Sequence, residues 1–127
     1  MGQYLIDNNI ISHYFSESFS ESAMIFISEV IDNVPNISVI TEIEALSWIN
    51  PNKSKEKIIK EFISDANVIF IDSKIVSECV KIRRSKKIKT PDAIIAATAI
   101  ANQLTLITTD NDFNGIAKLK IINPKNL

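Results

Sequence analysis

Short apolar runs that alternate with longer amphipathic segments constrain the fold of this chain more than any other feature of its sequence. The short runs are rich in Ile and Val and do not alternate with polar residues, which is typical of strands covered on both faces. The longer segments carry apolar residues at helical spacing, as Ala23, Ile27 and Val30 do. This alternation predicts an α/β fold with a parallel sheet.

The pattern predicts five strands and six helical segments along the chain. The strands are expected at Tyr4–Ile6, Asn36–Val39, Val68–Ile71, Thr105–Thr108 and Leu119–Ile122. The helices are expected over residues 9–15, 20–32, 41–49, 54–65, 73–85 and 91–103. A length of 127 residues, of which 46% are hydrophobic, suits a single domain over residues 1–127, and no repeat or flexible linker divides it.

Composition narrows the class of protein further. Ile occurs 25 times and no segment is of low complexity, which excludes intrinsic disorder. The single cysteine, Cys79, excludes a disulfide framework and a Cys-based zinc site, and it fits a reducing compartment. No apolar run approaches the ~20 residues of a membrane span, and the N-terminus has no signal-peptide pattern. We therefore expect a soluble, cytoplasmic protein.

The segment from Ala93 to Ala101 is a predicted helix without a charged face. Such a helix is expected to be buried on most sides, and its alanines allow neighbouring elements to approach closely. Thr90, Pro91 and Asp92 are predicted to be its N-cap, its first-turn proline and its first-turn acid. A buried helix therefore begins beside a carboxylate.

Acidic residues follow the predicted strands at one edge of the sheet. They are Asp7 after the first strand, Glu42 and Glu44 past the second, Asp92 at the start of the uncharged helix, and Asp110 and Asp112 after the fourth strand. Because the functional crevice of an open parallel sheet lies beyond the carboxyl ends of its strands, we expect these acids to form one cluster.

A cluster of carboxylates without matching bases favours a divalent cation. The acids would otherwise repel one another, and some would be forced to stay protonated. Oxygen ligands, in a chain whose only histidine is His13, favour Mg²⁺ or Mn²⁺ over zinc. One or two such ions suit phosphodiester hydrolysis, because they activate water and stabilise the leaving oxygen.

Each acid also has an ordinary structural explanation. Asp7 can cap the helix that follows it, and Asp92 is a favourable first-turn acid. Thr41 and Glu44 have the spacing of a capping box. The segment from Asp110 to Asp112 can be a polar turn. No single acid is specific, but four segments that each bring an acid to one edge are harder to explain in this way.

Four motifs together resemble the PIN domain and, more narrowly, the VapC-type toxin ribonucleases. They lie at Tyr4–Ile10, Ile37–Glu44, Thr90–Ala99 and Leu106–Phe113. Each motif alone is weak, but all four occur in this order and the resemblance covers nearly the whole chain. It implies a three-layer α/β/α fold with a parallel five-stranded sheet in the order 3-2-1-4-5. It also implies endoribonuclease activity that depends on Mg²⁺ or Mn²⁺, a homodimer, and a cognate antitoxin protein that inhibits the toxin.

The resemblance also assigns residues to the site. Asp7, Glu44 and Asp92 match the acids of the family, and Asp110 matches the fourth acid best, with Asp112 as the alternative. The family pattern selects Glu44 over Glu42, and two positions on a helix point about 200° apart, so both cannot face one metal.

Two asparagines follow the first acid. At Asn8 the family usually has Thr or Ser, whose hydroxyl supports the site by hydrogen bonding. Because an Asn amide can also donate, we expect this departure to tune the site. Asn9 matches the Asn of the family and is expected to orient the Asp7 loop or a metal-bound water.

Residues 81–89 form a basic run that holds six of the 14 bases and no acid. The rest of the chain therefore carries eight bases against 15 acids, a balance of −7. Because the run leads directly into Thr90 and Asp92, we expect it near the acidic cluster, where its cations would hold an RNA backbone. The candidates are Arg83, Arg84, Lys86 and Lys87. The alternative is a solvated helix C-terminus, where bases are favoured by the helix dipole.

Parts of the sequence also suit other functions. A degenerate PIN-fold scaffold would bind RNA or an antitoxin without cleaving. A dinucleotide-binding domain is disfavoured because the only glycines are Gly2 and Gly115. A receiver domain would use Asp72, after the third strand, as its phospho-acceptor. Trp48 and Phe113 are expected in the core or at a dimer contact.

Overall fold

The computed structural model describes residues 3–127, and Met1 and Gly2 of the expected domain lie outside the described residues. The described residues contain one parallel sheet with the strand order β3-β2-β1-β4-β5. The strands are β1 (Tyr4–Ile6), β2 (Asn36–Ser38), β3 (Asn67–Ile69), β4 (Thr105–Ile107) and β5 (Ile121–Ile122). The order 3-2-1-4-5 is therefore confirmed. A receiver domain would have the order 2-1-3-4-5, so that alternative is wrong.

Helices connect the strands and lie on both faces of the sheet. They are α1 (Asn8–Phe15), α2 (Glu21–Asp32), α3 (Val39–Leu46), α4 (Lys53–Asp65), α5 (Ser73–Ser85) and α6 (Thr90–Ala101). Within residues 3–127, none of these helices has the length and apolarity that a membrane span requires.

The strands carry apolar side chains on both faces because a helical layer covers each face. Leu5 and Leu106 belong to a core shared with α5 and α6. Ile6 and Ile107, one position later on the same strands, belong to a second core shared with α1, α2 and α4. This arrangement explains why the strands lack polar alternation, and it confirms the three-layer α/β/α fold.

The uncharged helix α6 is buried as its sequence predicts. Six of its twelve residues, including Ala93, Ile95 and Ala99, are buried against α5 and the sheet. Thr90 is the first residue of the helix, and Lys89 occupies the N-cap position without a side-chain cap. The prediction of Thr90 as the N-cap is therefore wrong by one position.

Helix α3 begins two residues earlier than its sequence pattern suggests. Ser38 ends β2 and caps α3, because its hydroxyl accepts a hydrogen bond from the Ile40 N–H at 3.1 Å. Thr41 therefore lies inside the helix, and the capping-box explanation for Thr41 and Glu44 is wrong. The helix also ends early, at Leu46, which leaves Trp48 43% exposed and outside the core. Phe113, in contrast, is fully buried in the core.

The last strand is shorter than expected. Leu119 was expected to begin β5, but the strand begins at Ile121. Lys118 has a left-handed backbone with φ of +70°, and the Leu119 N–H donates to the Ile116 carbonyl at 3.3 Å. This turn prevents the extended backbone from starting earlier.

Candidate metal centre

The fold brings acids from four elements to one edge of the sheet. Asp7 directly follows β1 and Asp110 lies just past β4, and these two strands are neighbours that pair through Ile6 and Ile107. Asp92 lies in the first turn of α6. Glu44 lies on α3, which begins where β2 ends. The predicted cluster therefore forms at the carboxyl ends of the central strands.

Three carboxylates form the centre of this cluster. Side-chain oxygens of Asp92, Asp110 and Asp112 all lie within 4.8 Å of one another. Asp110 is half-buried and Asp112 is exposed. Asp110 and Asp112 are not alternatives in this geometry, because both lie beside Asp92.

Asp7 is the most buried acid at the site. Its side chain is 7% exposed, and burial raises the pKa of this carboxyl above its ordinary value. Hydrogen bonds from the Thr108 hydroxyl to Oδ2 and from the Asn8 N–H to Oδ1, each 2.8 Å long, lower the pKa. The negative charges of Asp92 and Asp110 raise it. Asp7 also caps α1, so the predicted cap is confirmed, and the cap leaves the carboxyl beside Asp92 and Asp110.

Glu44 faces the other acids from α3. Partial burial raises the pKa of its carboxyl, and the charges of Asp7 and Asp92 raise it further. Glu42 points about 200° away on the same helix. The geometry therefore places Glu44 beside the cluster, as the family pattern suggested.

Asp92 connects the acidic cluster to the basic run. Burial raises the pKa of the Asp92 carboxyl, and the nearby charges of Asp110 and Asp112 raise it further. The Lys89 ammonium lowers the same pKa, which shows that the end of the basic run lies close to the cluster.

A hydrogen-bond network centred on Thr108 joins the loops that carry the acids. The Thr108 hydroxyl donates to Asp7 and accepts from the Asp110 N–H at 3.1 Å and from the Asn9 side-chain amide at 3.5 Å. The Asn9 side-chain oxygen accepts from the Thr109 N–H at 3.5 Å. Asn9 thus ties the Asp7 loop to the end of β4, while Asn8 contacts Asp7 through its backbone.

Thr108 is a site residue that the sequence reasoning missed. It is 1% exposed and holds the Asp7 carboxylate from the neighbouring strand. The signal was present, because Thr108 is a polar residue at the carboxyl end of an apolar strand, two positions before Asp110. Its place in the apolar strand pattern predicts a strand residue, and nothing in that pattern marks a hydroxyl for the site.

The donor set of this cluster fits a small divalent cation. The oxygen ligands of an octahedral Mg²⁺ ion lie about 3 Å apart when neighbouring and about 4.2 Å apart when opposite, which is compatible with a group of carboxylates within 4.8 Å. Burial raises the pKa of Asp7, Glu44 and Asp92 most, and mutual repulsion raises it further; a bound cation would offset this repulsion.

The basic run lies on the surface between α5 and α6. Arg83, Arg84, Lys86 and Lys87 line a shallow depression at the end of α5. Within residues 3–127, Lys81 is the only base of the run that forms an ion pair, with Glu78 at 3.6 Å. The other bases are therefore available to anions.

A family model decides the class of this protein. The model of the PIN domain matches residues 4–119, a span that includes all four sequence motifs. The chain belongs to the PIN domain family. No curated protein matches its sequence.

Solved structures contain chains similar to this PIN domain. A toxin–antitoxin complex from Klebsiella pneumoniae contains a chain with 31% identity and a TM-score of 0.70, and the match covers 95% of this chain and 97% of that chain. VapBC2 from Rickettsia felis, bound to a DNA fragment from its promoter, contains a chain with 22% identity and a TM-score of 0.77. The match covers 94% of this chain and 97% of that chain. FitAcB from Neisseria gonorrhoeae contains a chain with 22% identity and a TM-score of 0.75, and the match covers 98% of this chain and 99% of that chain. The PIN-domain resemblance seen in the sequence is thus confirmed.

Proposed function

We propose that this PIN domain is a metal-dependent endoribonuclease and the toxin of a toxin–antitoxin pair. The observation that carries the proposal is the convergence of the Asp92, Asp110 and Asp112 carboxylates beside the buried Asp7. Family membership supports a nuclease function, and the similar chains from toxin–antitoxin complexes support the toxin role.

We assign Asp7, Glu44, Asp92 and Asp110 as the acids that hold Mg²⁺ or Mn²⁺, with Asp112 as a further ligand or supporting acid. Bound there, the cation would offset the charge of the carboxylates, polarise the phosphodiester and activate water for hydrolysis. Asn9 and Thr108 hold the Asp7 loop against the end of β4, and Asn8 fixes the Asp7 carboxylate through its backbone N–H.

The basic run holds the RNA backbone in this proposal. An acidic cluster alone repels phosphates, so cations beside it are needed to bring the substrate to the site. Arg83, Arg84, Lys86 and Lys87 form the surface that does so, and Lys89 lies between that surface and Asp92.

The similar complexes point to an antitoxin as a partner. We propose that a cognate antitoxin protein binds and inhibits this chain, that the toxin is a homodimer, and that it acts in the cytoplasm. The Klebsiella pneumoniae toxin–antitoxin complex, which matches along nearly the whole chain at 31% identity, supports the antitoxin partner.

The test is cleavage of labelled total RNA by purified protein with Mg²⁺, with Mn²⁺ and with EDTA, beside Asp7→Asn. We expect metal-dependent cuts at discrete sites that disappear in the variant. Cuts that persist in EDTA or in the variant would show a contaminant and contradict the proposal. A folded protein that binds metal and antitoxin but cuts no cellular RNA would favour the degenerate scaffold.

A further inference from the structure

A groove opens beside the acidic cluster, between α1, α3 and α4. Its volume is about 620 Å³, which is within the range of small-molecule sites. Asn8 and Glu44 line it at the end nearest the acids. Trp48 and Lys55 also line the groove. The groove is therefore continuous with the candidate metal centre.

We propose that this groove binds a nucleobase of single-stranded RNA, stacked on the indole of Trp48, while the adjoining phosphate lies at the acidic cluster. This inference rests on the proposed ribonuclease function and names Trp48 as a residue that contacts a base of the substrate. A base inside a duplex is not free to enter such a groove, whereas unpaired bases splay out and stack on aromatic side chains.

Trp48 has the properties of a stacking platform. It follows the end of α3, where the Ser47 C-cap stops the helix, and its side chain is 43% exposed. Among the described residues, Trp48 forms no ring–ring contact. Phe15, which also lines the groove, is instead held by edge-on contacts with Tyr14 at 5.2 Å and Phe62 at 5.8 Å. The indole face is thus free to receive a base, and stacking accepts any base because every base has a π face.

Polar groups line the groove beside the apolar surface. The side chains of Asn8, Ser12, Ser47 and Asn50 contribute amides and hydroxyls that match the edges of a base. Ile11 and Ile59 supply the apolar floor. This mixture of an aromatic plane with hydrogen-bonding groups is what unpaired bases use in protein complexes.

Charge favours a nucleic-acid occupant over a protein segment. Lys55 lines the groove and, within residues 3–127, forms no ion pair, whereas its neighbour Lys53 is paired with Glu56 at 3.3 Å. A strand that enters from the acidic cluster would therefore place its next phosphate near a free ammonium group. Lys57 lies on the same helix but lines a separate depression, so it is a matched control.

The single tryptophan gives the experiment its readout. The Asp7→Asn protein, which is expected not to cleave, is titrated in Mg²⁺ with single-stranded oligo(A) and oligo(U) of about eight nucleotides and with a duplex of equal length. We expect the single strands to quench Trp48 fluorescence in parallel with the anisotropy of a labelled strand. We expect no quenching by the duplex. RNA that binds without quenching would overturn the proposal.

Variants of the otherwise wild-type chain separate stacking from other effects. Trp48→Leu is expected to raise the KM for RNA cleavage about tenfold while kcat and Mn²⁺ affinity stay the same, and Trp48→Phe is expected to restore most of the loss. Lys55→Gln is expected to weaken RNA binding more than Lys57→Gln. Ile49→Ala, at an exposed neighbour outside the groove, is expected to change nothing. Thermal melting of each variant checks that it folds.

The outcomes distinguish this proposal from the proposed function. Metal-dependent cleavage that is unaffected by Trp48→Leu would leave the ribonuclease in place and overturn the stacking site. Quenching by single strands in a protein that never cleaves would support the site and contradict the enzyme. If Trp48→Leu cleaves normally but escapes inhibition by its antitoxin, the groove is a protein-binding site and the proposal is wrong.

Discussion

At the scale of single residues, Asp7 serves two purposes that usually belong to different side chains. One carboxylate oxygen caps α1 through the Asn8 N–H, and the other accepts the Thr108 hydroxyl from the neighbouring strand. The same group is buried beside the charges of Asp92 and Asp110. Its hydrogen bonds fix its orientation, while burial makes its negative charge costly in the absence of a cation.

We expect Asp7→Asn to abolish cleavage and to stabilise the metal-free protein at neutral pH. An amide also caps helices well, so the fold is retained, and the buried charge is removed. Folding raises the pKa of the Asp7 carboxyl above 3.8, so the folded protein holds this proton at a higher pH than the unfolded chain does. The contribution of Asp7 to the free energy of unfolding is therefore lost as the pH rises from 3.8 through the pKa of the folded state. Urea unfolding in EDTA between about pH 4 and 7 measures this.

The difference between the two proteins should therefore be small at the acidic end and largest at neutral pH. Glu42→Gln is the control, because this acid points away from the cluster on α3. A gain in stability that is the same at every pH would contradict the prediction that the ionised Asp7 carboxylate destabilises the folded protein.

We expect the Thr108 hydroxyl to position Asp7 for its role at the site. Thr108→Val removes the donor to Asp7 and the acceptor of the Asp110 N–H with little change in volume. Loss of such outer contacts typically lowers metal affinity or activity about 10–100-fold. Calorimetry with Mn²⁺ and cleavage assays should show this loss, and Thr108→Ser should recover most of it. Equal metal affinity and equal cleavage by the valine and serine variants would show that the Thr108 hydroxyl does not position Asp7.

At the scale of elements, α3 shows how a helix start decides which acid reaches the site. The helix begins at Val39 because Ser38 caps it, and this phase turns Glu44 toward Asp7 and Asp92. Glu42 lies on the same helix with the same charge but about 200° away. The two acids are therefore a matched pair for mutation.

We expect Glu44→Gln to lower cleavage about tenfold or more and Glu42→Gln to leave it nearly unchanged. Both substitutions remove one negative charge from the same helix, so the comparison isolates the direction in which the side chain points. Initial rates at several Mn²⁺ concentrations measure the effect. A larger loss from Glu42→Gln would show that the cluster uses the other face of α3.

The element pattern was largely predictable from the sequence, while the ends of the elements were not. The uncharged composition of α6 predicted a buried helix, and the helix is buried. The start of α3 depends on the cap at Ser38, and the start of β5 depends on the left-handed backbone of Lys118. Both are local backbone conformations, and the spacing of apolar residues does not predict them. Trp48 was expected in the core or at a dimer contact, and it lies exposed because α3 ends before it.

At the scale of the whole molecule, the charges are separated. Residues 81–89 hold six bases and no acid, and the rest of the chain has a balance of −7. Lys89 connects the two regions, because its charge acts directly on Asp92. The near-neutral total therefore combines an acidic cluster with a basic surface, which is the arrangement an anionic substrate needs.

We expect Arg83→Gln combined with Lys86→Gln to weaken RNA binding and to reduce its salt dependence. Each lost phosphate contact on a single strand lowers the slope of log affinity against log salt by about 0.7. Lys81→Gln is the control, because Lys81 is already paired with Glu78. Anisotropy titrations of labelled RNA across a range of salt concentrations measure the slope. An unchanged slope would place the RNA elsewhere.

We expect Mn²⁺ to raise the melting temperature of the whole protein, because an ion that binds only the folded state stabilises it. At 100 times its dissociation constant the gain is about 2.7 kcal/mol. Asp92→Asn should lose this gain, since Asp92 lies between the other acids of the cluster. Equal stabilisation of this variant and the wild-type protein would place the ion at another site.

The sequence by itself determined the fold class and, through its family resemblance, the strand order, and it named the acids that lie at the carboxyl edge of the sheet. These follow from the spacing of apolar residues along the chain and from the order of the four family motifs. Only the tertiary structure decided that Asp110 and Asp112 both meet Asp92, that Thr108 holds Asp7, and that Trp48 lines a groove continuous with the acids. The reason is that distances between residues far apart in the chain are set by the packing of helices on the sheet, and periodicity along the chain does not record them.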